Sequence, residues 1–167
     1  TAFYTLSLHD ALPIFEFVLV GAFLLVPLIL GLLSIGFTLS RSLHAAQLTR
    51  DVGRMFVRGV DFSEAANQEL LVGSTSRPDL PKLAQGLGMA QTVGGATGSA
   101  AGNGVLVFSI LTRMASTCNC SNAGHIVLTR RVVVGNNTLL ASAYGSPEAS
   151  LVNAQSGAVT DYANQVS

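Results

Sequence analysis

The stretch FVLVGAFLLVPLILGLLSIGFTL, residues 17–39, decides how the chain is read. It runs 23 residues without a charge, between Glu16 and Arg41, and sixteen of its residues are Leu, Ile, Val or Phe. At about 1.5 Å per residue such a helix reaches roughly 35 Å, enough to cross a hydrocarbon core of about 30 Å. Each large apolar residue favours the bilayer by roughly 0.3–0.6 kcal/mol, which far exceeds what the interspersed Gly, Ser, Thr and Pro give back. A buried core helix of this length would need a large apolar shell. The remaining chain is too small and too polar to supply one. A cleavable secretory signal has an apolar core of only about 7–15 residues and a small-residue cut site. The run is longer than that and leads straight into a helical pattern, so retention of the span is expected. Pro27, at mid-span, removes one backbone hydrogen bond and predicts a kink or a loosened turn near residues 23–27.

Composition agrees. The chain has 167 residues, of which 11% are charged against roughly 25% in an ordinary soluble domain, and its mean hydropathy is +0.50. Nine Lys and Arg balance nine Asp and Glu, which leaves no net field to steer nucleic acid, and no nucleic-acid partner is expected. Two Cys and three His are too few for a zinc ribbon or a haem site, so no cofactor is expected.

Beyond Ser40 the helical pattern continues. Leu39, Leu43, Ala46, Leu48, Val52, Met55, Phe56 and Val60 recur at steps of three and four, and Arg50, Arg54 and Arg58 form a line at four-residue spacing. The pattern predicts one helix that leaves the membrane, becomes amphipathic and stops near residues 59–61. A short second helix is expected over 64–72, with Asp61 or Ser63 as its cap. The arginine line, with Arg41 before it, reads first as a solvated helix face and second as a contact for lipid head groups or a partner.

Residues 73–81 (GSTSRPDLP) read as a loop, and 82–89 as a short helix. Five Gly among the eleven residues 94–104 read as a turning connector, and with neither a GxxxxGK[ST] pattern nor a following basic residue it is not expected to cradle phosphate. The period then changes. Residues 105–114 (VLVFSILTRM) and 125–134 (HIVLTRRVVV) are apolar and β-branched, separated by turn residues, and predict an antiparallel pair. Residues 138–144 are expected as a third strand or an edge. The fold class is therefore α+β: a transmembrane helix (15–40), amphipathic extracytoplasmic helices (41–72), a loop, short helix and Gly-rich connector (73–104), and a small antiparallel β domain (105–167), read as truncated at its C-terminus.

Cys118 and Cys120 form the sole cysteine pair. Outside the cytoplasm a disulfide between them is allowed, as is a link to another chain or beyond Ser167. A metal site with His125 would lack a fourth ligand. His9, His44 and His125 fall in no recognisable catalytic motif, and no enzymatic activity is expected. Glu16 needs an explanation. A carboxylate at a helix start is favoured by the dipole, whereas one drawn into hydrocarbon requires a cationic partner such as an N-terminal amine.

The run FEFVLVGAFLLVPLILGLLSIGFTLSRSLHAAQLTRDVGRMFVRG (15–59) resembles the N-terminal helix of TadE-like proteins, the minor pseudopilins of tight-adherence (Flp-type) pilus systems. The string TCNCSNAGHIVLTRRVVVGN (117–136) is similar to a strand-turn-strand segment of longer members. The resemblance spans residues 15–159 and is strongest before Gly59. It implies a single-pass subunit of a bacterial inner membrane, with its N-terminus cytoplasmic and its C-terminal domain periplasmic or extracellular. It also implies lateral partners among pilin or pseudopilin subunits, an assembly platform, and a prepilin peptidase acting before Glu16, the residue that implies assembly. The family's leader is short, basic and ends in Gly or Ala. Residues 1–14, TAFYTLSLHDALPI, carry no Lys, Arg or Gly and read as a leader remnant or a non-native scar, although a cut after Ala11 would make Glu16 fifth in the mature chain. Counting Lys and Arg alone, the positive-inside rule would place the Arg41 side in the cytoplasm, opposite to the orientation the resemblance implies. The competing reading, from another class, is a membrane-anchored extracytoplasmic binding or sensor module.

Overall fold

The structure, a computed structural model, describes residues 8–73, 79–90 and 93–164. The expectation for residues 1–14 lies outside the described residues as far as residue 7, and the expected loop does so over 74–78. The architecture is α+β: a long apolar N-terminal helix, short helices and a small three-stranded mixed sheet. The chain divides into two compact units, Thr1–Ser42 and Leu43–Ser167.

Helix α1 spans Leu8–Val57 and runs unbroken past Pro27. It stops where expected, and for a definable reason. Gly59 adopts φ +89°, and its N–H bonds the Phe56 carbonyl at 3.0 Å while the Val60 N–H reaches back to Met55 at 3.1 Å. This is the paired-bond helix stop that a left-handed glycine permits, with Val60 and Met55 both packed against the core. Helix α2, Ala65–Val72, follows. Its cap differs from expectation: Glu64 holds the capping position and makes no side-chain cap bond. Asp61 instead folds the approach, its Oδ1 accepting from the Ser63 N–H at 2.9 Å and the Ser63 hydroxyl at 2.8 Å.

Helix α3, Asp79–Gly86, begins three residues before the expected start. Pro81 fits within its first turn, where the missing N–H has no intrahelical acceptor to lose. Gly88, at φ +72°, ends it by the same device as α1, with Gly88 N–H on the Gln85 carbonyl and Met89 N–H on the Ala84 carbonyl.

Strands β1 (Thr97–Ser99), β2 (Val105–Arg113) and β3 (Ile126–Asn136) form a sheet of order β1-β3-β2. The expected antiparallel pair is β2 with β3, running from Val105 opposite Gly135 to Arg113 opposite Ile126, with a one-residue shift of register between Ile110 and Leu111. The third strand is not where it was expected. Residues 138–144 form a turn and irregular backbone, and the place beside β3 is taken by β1, which lies parallel to it inside the Gly-rich connector. A three-residue strand has no measurable alternation, so its pairing is set by the sheet it joins. The buried Asn136 holds the crossing segment in place: its Nδ2 donates to the Gly102 carbonyl at 2.7 Å, and its Oδ1 accepts from Thr138 N–H and hydroxyl.

One face of the sheet carries the core. Phe108 of β2 and Val132 and Val134 of β3 meet Leu48 and Val52 of α1, Phe62, and Leu71 and Val72 of α2. The Phe62 and Phe108 rings stack with centroids 4.8 Å apart, and Phe56 lies 5.1 Å from Phe108. Part of the C-terminal segment, polar and weakly patterned in sequence, adds to the sheet. Arg131 N–H bonds the Gly157 carbonyl at 2.8 Å and Val159 N–H the Thr129 carbonyl at 2.9 Å, while Val152 bridges Val159. Gly157 is required at its place. It adopts φ +69°, and an added Cβ would collide with the Arg131 carbonyl oxygen.

Candidate functional site

The first candidate surface is the apolar part of α1. Over residues 15–43 every residue but Gly21 is exposed, and none of the most apolar window of the helix is buried. Phe17, Phe23 and Phe37 are 80%, 84% and 68% exposed. A soluble protein does not leave a continuous apolar cylinder in water, because the cost grows with every uncovered side chain. Length and hydropathy suggest a single-pass membrane anchor or a signal segment.

Glu16 lies exposed at the start of this cylinder. In the uncut chain α1 begins at Leu8, eight residues before Glu16, which lies beyond the first turn within which the dipole's effect fades. Its carboxylate therefore stands against an apolar surface with no compensation from the helix end.

The second candidate surface is the line of arginines. Arg41, Arg50, Arg54 and Arg58 are all exposed; Arg50 and Arg54 lie on the side of α1 away from the buried Leu48 and Val52, and Arg58 follows directly after the helix end. Arg54 approaches Asp51 at 4.0 Å. Arg50 and Arg58 have no carboxylate within that distance among the described residues.

Cys118 and Cys120 are bonded to each other across Asn119, with Cα atoms 5.3 Å apart, and among the described residues no cysteine is free. Their turn, between β2 and β3, is tied to the C-terminal segment by Asn122, whose N–H donates to the Ala163 carbonyl at 3.0 Å and whose Nδ2 donates to that of Tyr162 at 2.9 Å. His125 is exposed and His44 half-buried; the His9 side chain lies outside the described residues. Among the described residues no three His, Cys, Asp or Glu side chains gather as metal ligands would.

A polar clamp that the sequence reading missed joins the end of α1 to the sheet. Arg130 Nη2 donates to both Asp61 carboxylate oxygens, at 2.8 and 2.7 Å, and to the Ser63 hydroxyl at 2.7 Å, while Nε donates to the Ser156 carbonyl at 2.7 Å. Partial burial alone would raise the Asp61 pKa. The hydrogen bonds from Arg130 and Ser63 outweigh it and hold the carboxyl below its ordinary value of 3.8. Arg131 points to the other face, where its Nη2 donates to the carbonyls of Tyr144 and Gly145, the latter at 2.8 Å. Its Nε is buried without a partner, and burial lowers its pKa. The two neighbouring arginines thus grip the C-terminal segment from both faces of β3. A signal for this was present: two adjacent charges inside an apolar strand must each find partners on opposite faces.

Comparison with known protein families, with curated proteins and with solved structures gave no match.

Proposed function

We propose that the chain is a membrane-anchored, pilin-like structural subunit, similar to TadE-like minor pseudopilins, that assembles side by side with other pilin-like subunits in a tight-adherence pilus or a related secretion apparatus. One observation carries this reading: a single helix, α1, bears an apolar surface exposed at every residue but Gly21 over residues 15–43 and, beyond it, Leu48 and Val52 buried in the core of a small α+β domain. An anchor of this build is a structural member of the domain, suited to an assembly in which the helices bundle.

In such an assembly the apolar cylinder passes from lipid to contact with neighbouring helices. Glu16 then enters an apolar bundle, where an unpaired carboxylate costs several kcal/mol. The new N-terminal amine of a neighbouring subunit, freed by a prepilin peptidase cutting after Ala11, neutralises it. The domain faces the periplasm or exterior, in keeping with the Cys118–Cys120 bond, since disulfides persist in oxidising compartments. The chain acts through assembly and not through catalysis.

The test is Glu16→Gln in the full chain, expressed with its secretion system. Sheared or pelleted surface fibres should fall at least tenfold while membrane levels hold, and mass spectrometry of the extracted chain should find an N-terminus at Leu12. Unchanged fibres with Glu16→Gln would refute the reading and favour a binding or sensor module held by the same anchor.

A further inference from the structure

The arginine line faces away from the core with little to neutralise it. Like charges four residues apart on a helix repel, so the row works against the isolated subunit unless something acidic meets it. Arg54 has 65% of its side chain exposed, and its one neighbouring carboxylate among the described residues, Asp51, is 4.0 Å away and itself 49% exposed. Next to Arg54 and Arg58 sits Val57, an apolar side chain that is 86% exposed although Met55 and Phe56 of the same turn are half-buried against the core. An uncovered apolar residue inside a charged rim has the make-up of a contact surface.

A matching surface exists on the same chain. Helix α2 buries Gln68, Leu71 and Val72 and exposes Ala65, Ala66 and Glu69, with the exposed Glu64 at its capping position. Small side chains thus lie between two carboxylates. Five residues of helix separate Glu64 from Glu69, about 7.5 Å along the axis, against about 6 Å for Arg54 to Arg58. Among the described residues neither glutamate has a cation within 4.0 Å.

We propose that these surfaces belong together across two copies of the chain: Val57 of one subunit seats on Ala65 and Ala66 of the next, with Arg54 and Arg58 against Glu64 and Glu69. The inference deepens the assembly reading and rests on it, since it names the contact by which the domains register once the anchors bundle. A second copy fits better than an anionic bilayer. The row extends over about 12 Å of helix axis, and its charges surround an apolar knob that a lipid head-group layer would not match.

The experiment exchanges the charges. The full chain in neutral detergent at low salt is followed by sedimentation velocity as native protein, as Arg54→Glu/Arg58→Glu, as Glu64→Arg/Glu69→Arg, and as a mixture of the two double variants. All four side chains are exposed, so both variants should fold, which far-ultraviolet circular dichroism checks. Each double variant alone should associate at least about tenfold more weakly than native, because like charges then face each other, and the mixture should recover to within about threefold. Native-like association of either variant alone, or a mixture that stays dissociated, would overturn the contact. So would binding to phosphatidylglycerol vesicles that tracks the arginines and is not restored by the mixture. Glu16→Gln separates the two proposals. Charge rescue alongside normal Glu16→Gln fibres leaves the contact standing and removes the pilus reading, whereas lost fibres without charge rescue do the reverse.

Discussion

Two halves of one helix differ in what surrounds them. Leu32 and Leu48 both lie on α1, yet Leu32 is 63% exposed and Leu48 is 1% exposed. The first half is apolar all round and has no face to bury. The second is apolar on one stripe and covers that stripe with a sheet and two rings. An all-round apolar helix asks for a solvent or partner of the same kind, and a striped one asks for a domain. The contrast teaches that helical order alone carries no information about environment, while the angular spread of apolar residues does.

The largest expected effect comes from removing what the buried stripe packs against. Phe62 is fully buried and stacked on Phe108, so Phe62→Ala should destabilise the domain by about 3–5 kcal/mol. Hydrogen exchange of the β3 amides in detergent would read this as a loss of protection. Protection unchanged would mean the ring stack is not part of the core. Next comes the comparison within α1. Leu48→Ala should cost about 2–5 kcal/mol by the same measurement, whereas Leu32→Ala should lie within about 0.5 kcal/mol of native. Equal effects would erase the distinction between the halves.

A smaller loss than that of Leu48→Ala concerns the clamp at the end of the buried half. The folded-state pKa of Asp61 is lowered, so its stabilisation is full above the ordinary carboxyl value of 3.8 and is lost as pH falls through the lowered one. With 38% of its side chain exposed, the Asp61–Arg130 pair contributes roughly 1 kcal/mol or less. Asp61→Asn should remove that amount near neutral pH and flatten the acid limb of a denaturation series. An acid limb as steep as native would assign that limb to other carboxylates.

Much of the architecture was readable from residue order. The charge-free run of residues 17–39, the three- and four-residue steps from Leu39 to Val60, and the β-branched runs on either side of the Cys118 turn each show a period long enough to identify. The stop near residues 59–61 was readable from where the helical pattern ends; that Gly59 makes it, by its left-handed conformation, is seen in the structure. The candidate sites were legible unevenly. Glu16 and the arginine line stood out by position and spacing, but the partner of Arg130 lies 69 residues away in the chain. No local pattern can express that separation.

Sequence by itself determined the elements whose physics is local: a span long and apolar enough for a bilayer, an amphipathic extension, and an antiparallel hairpin. Tertiary structure alone decided which strand completes the sheet, how the C-terminal segment docks, and where the buried charges find partners. The reason is that a three-residue strand such as Thr97–Ser99, or a glycine such as Gly157 whose missing Cβ leaves room for a carbonyl, has no preference strong enough to act alone. Their conformations follow from hydrogen-bonding groups and close contacts that β3 presents only after the domain has closed around it.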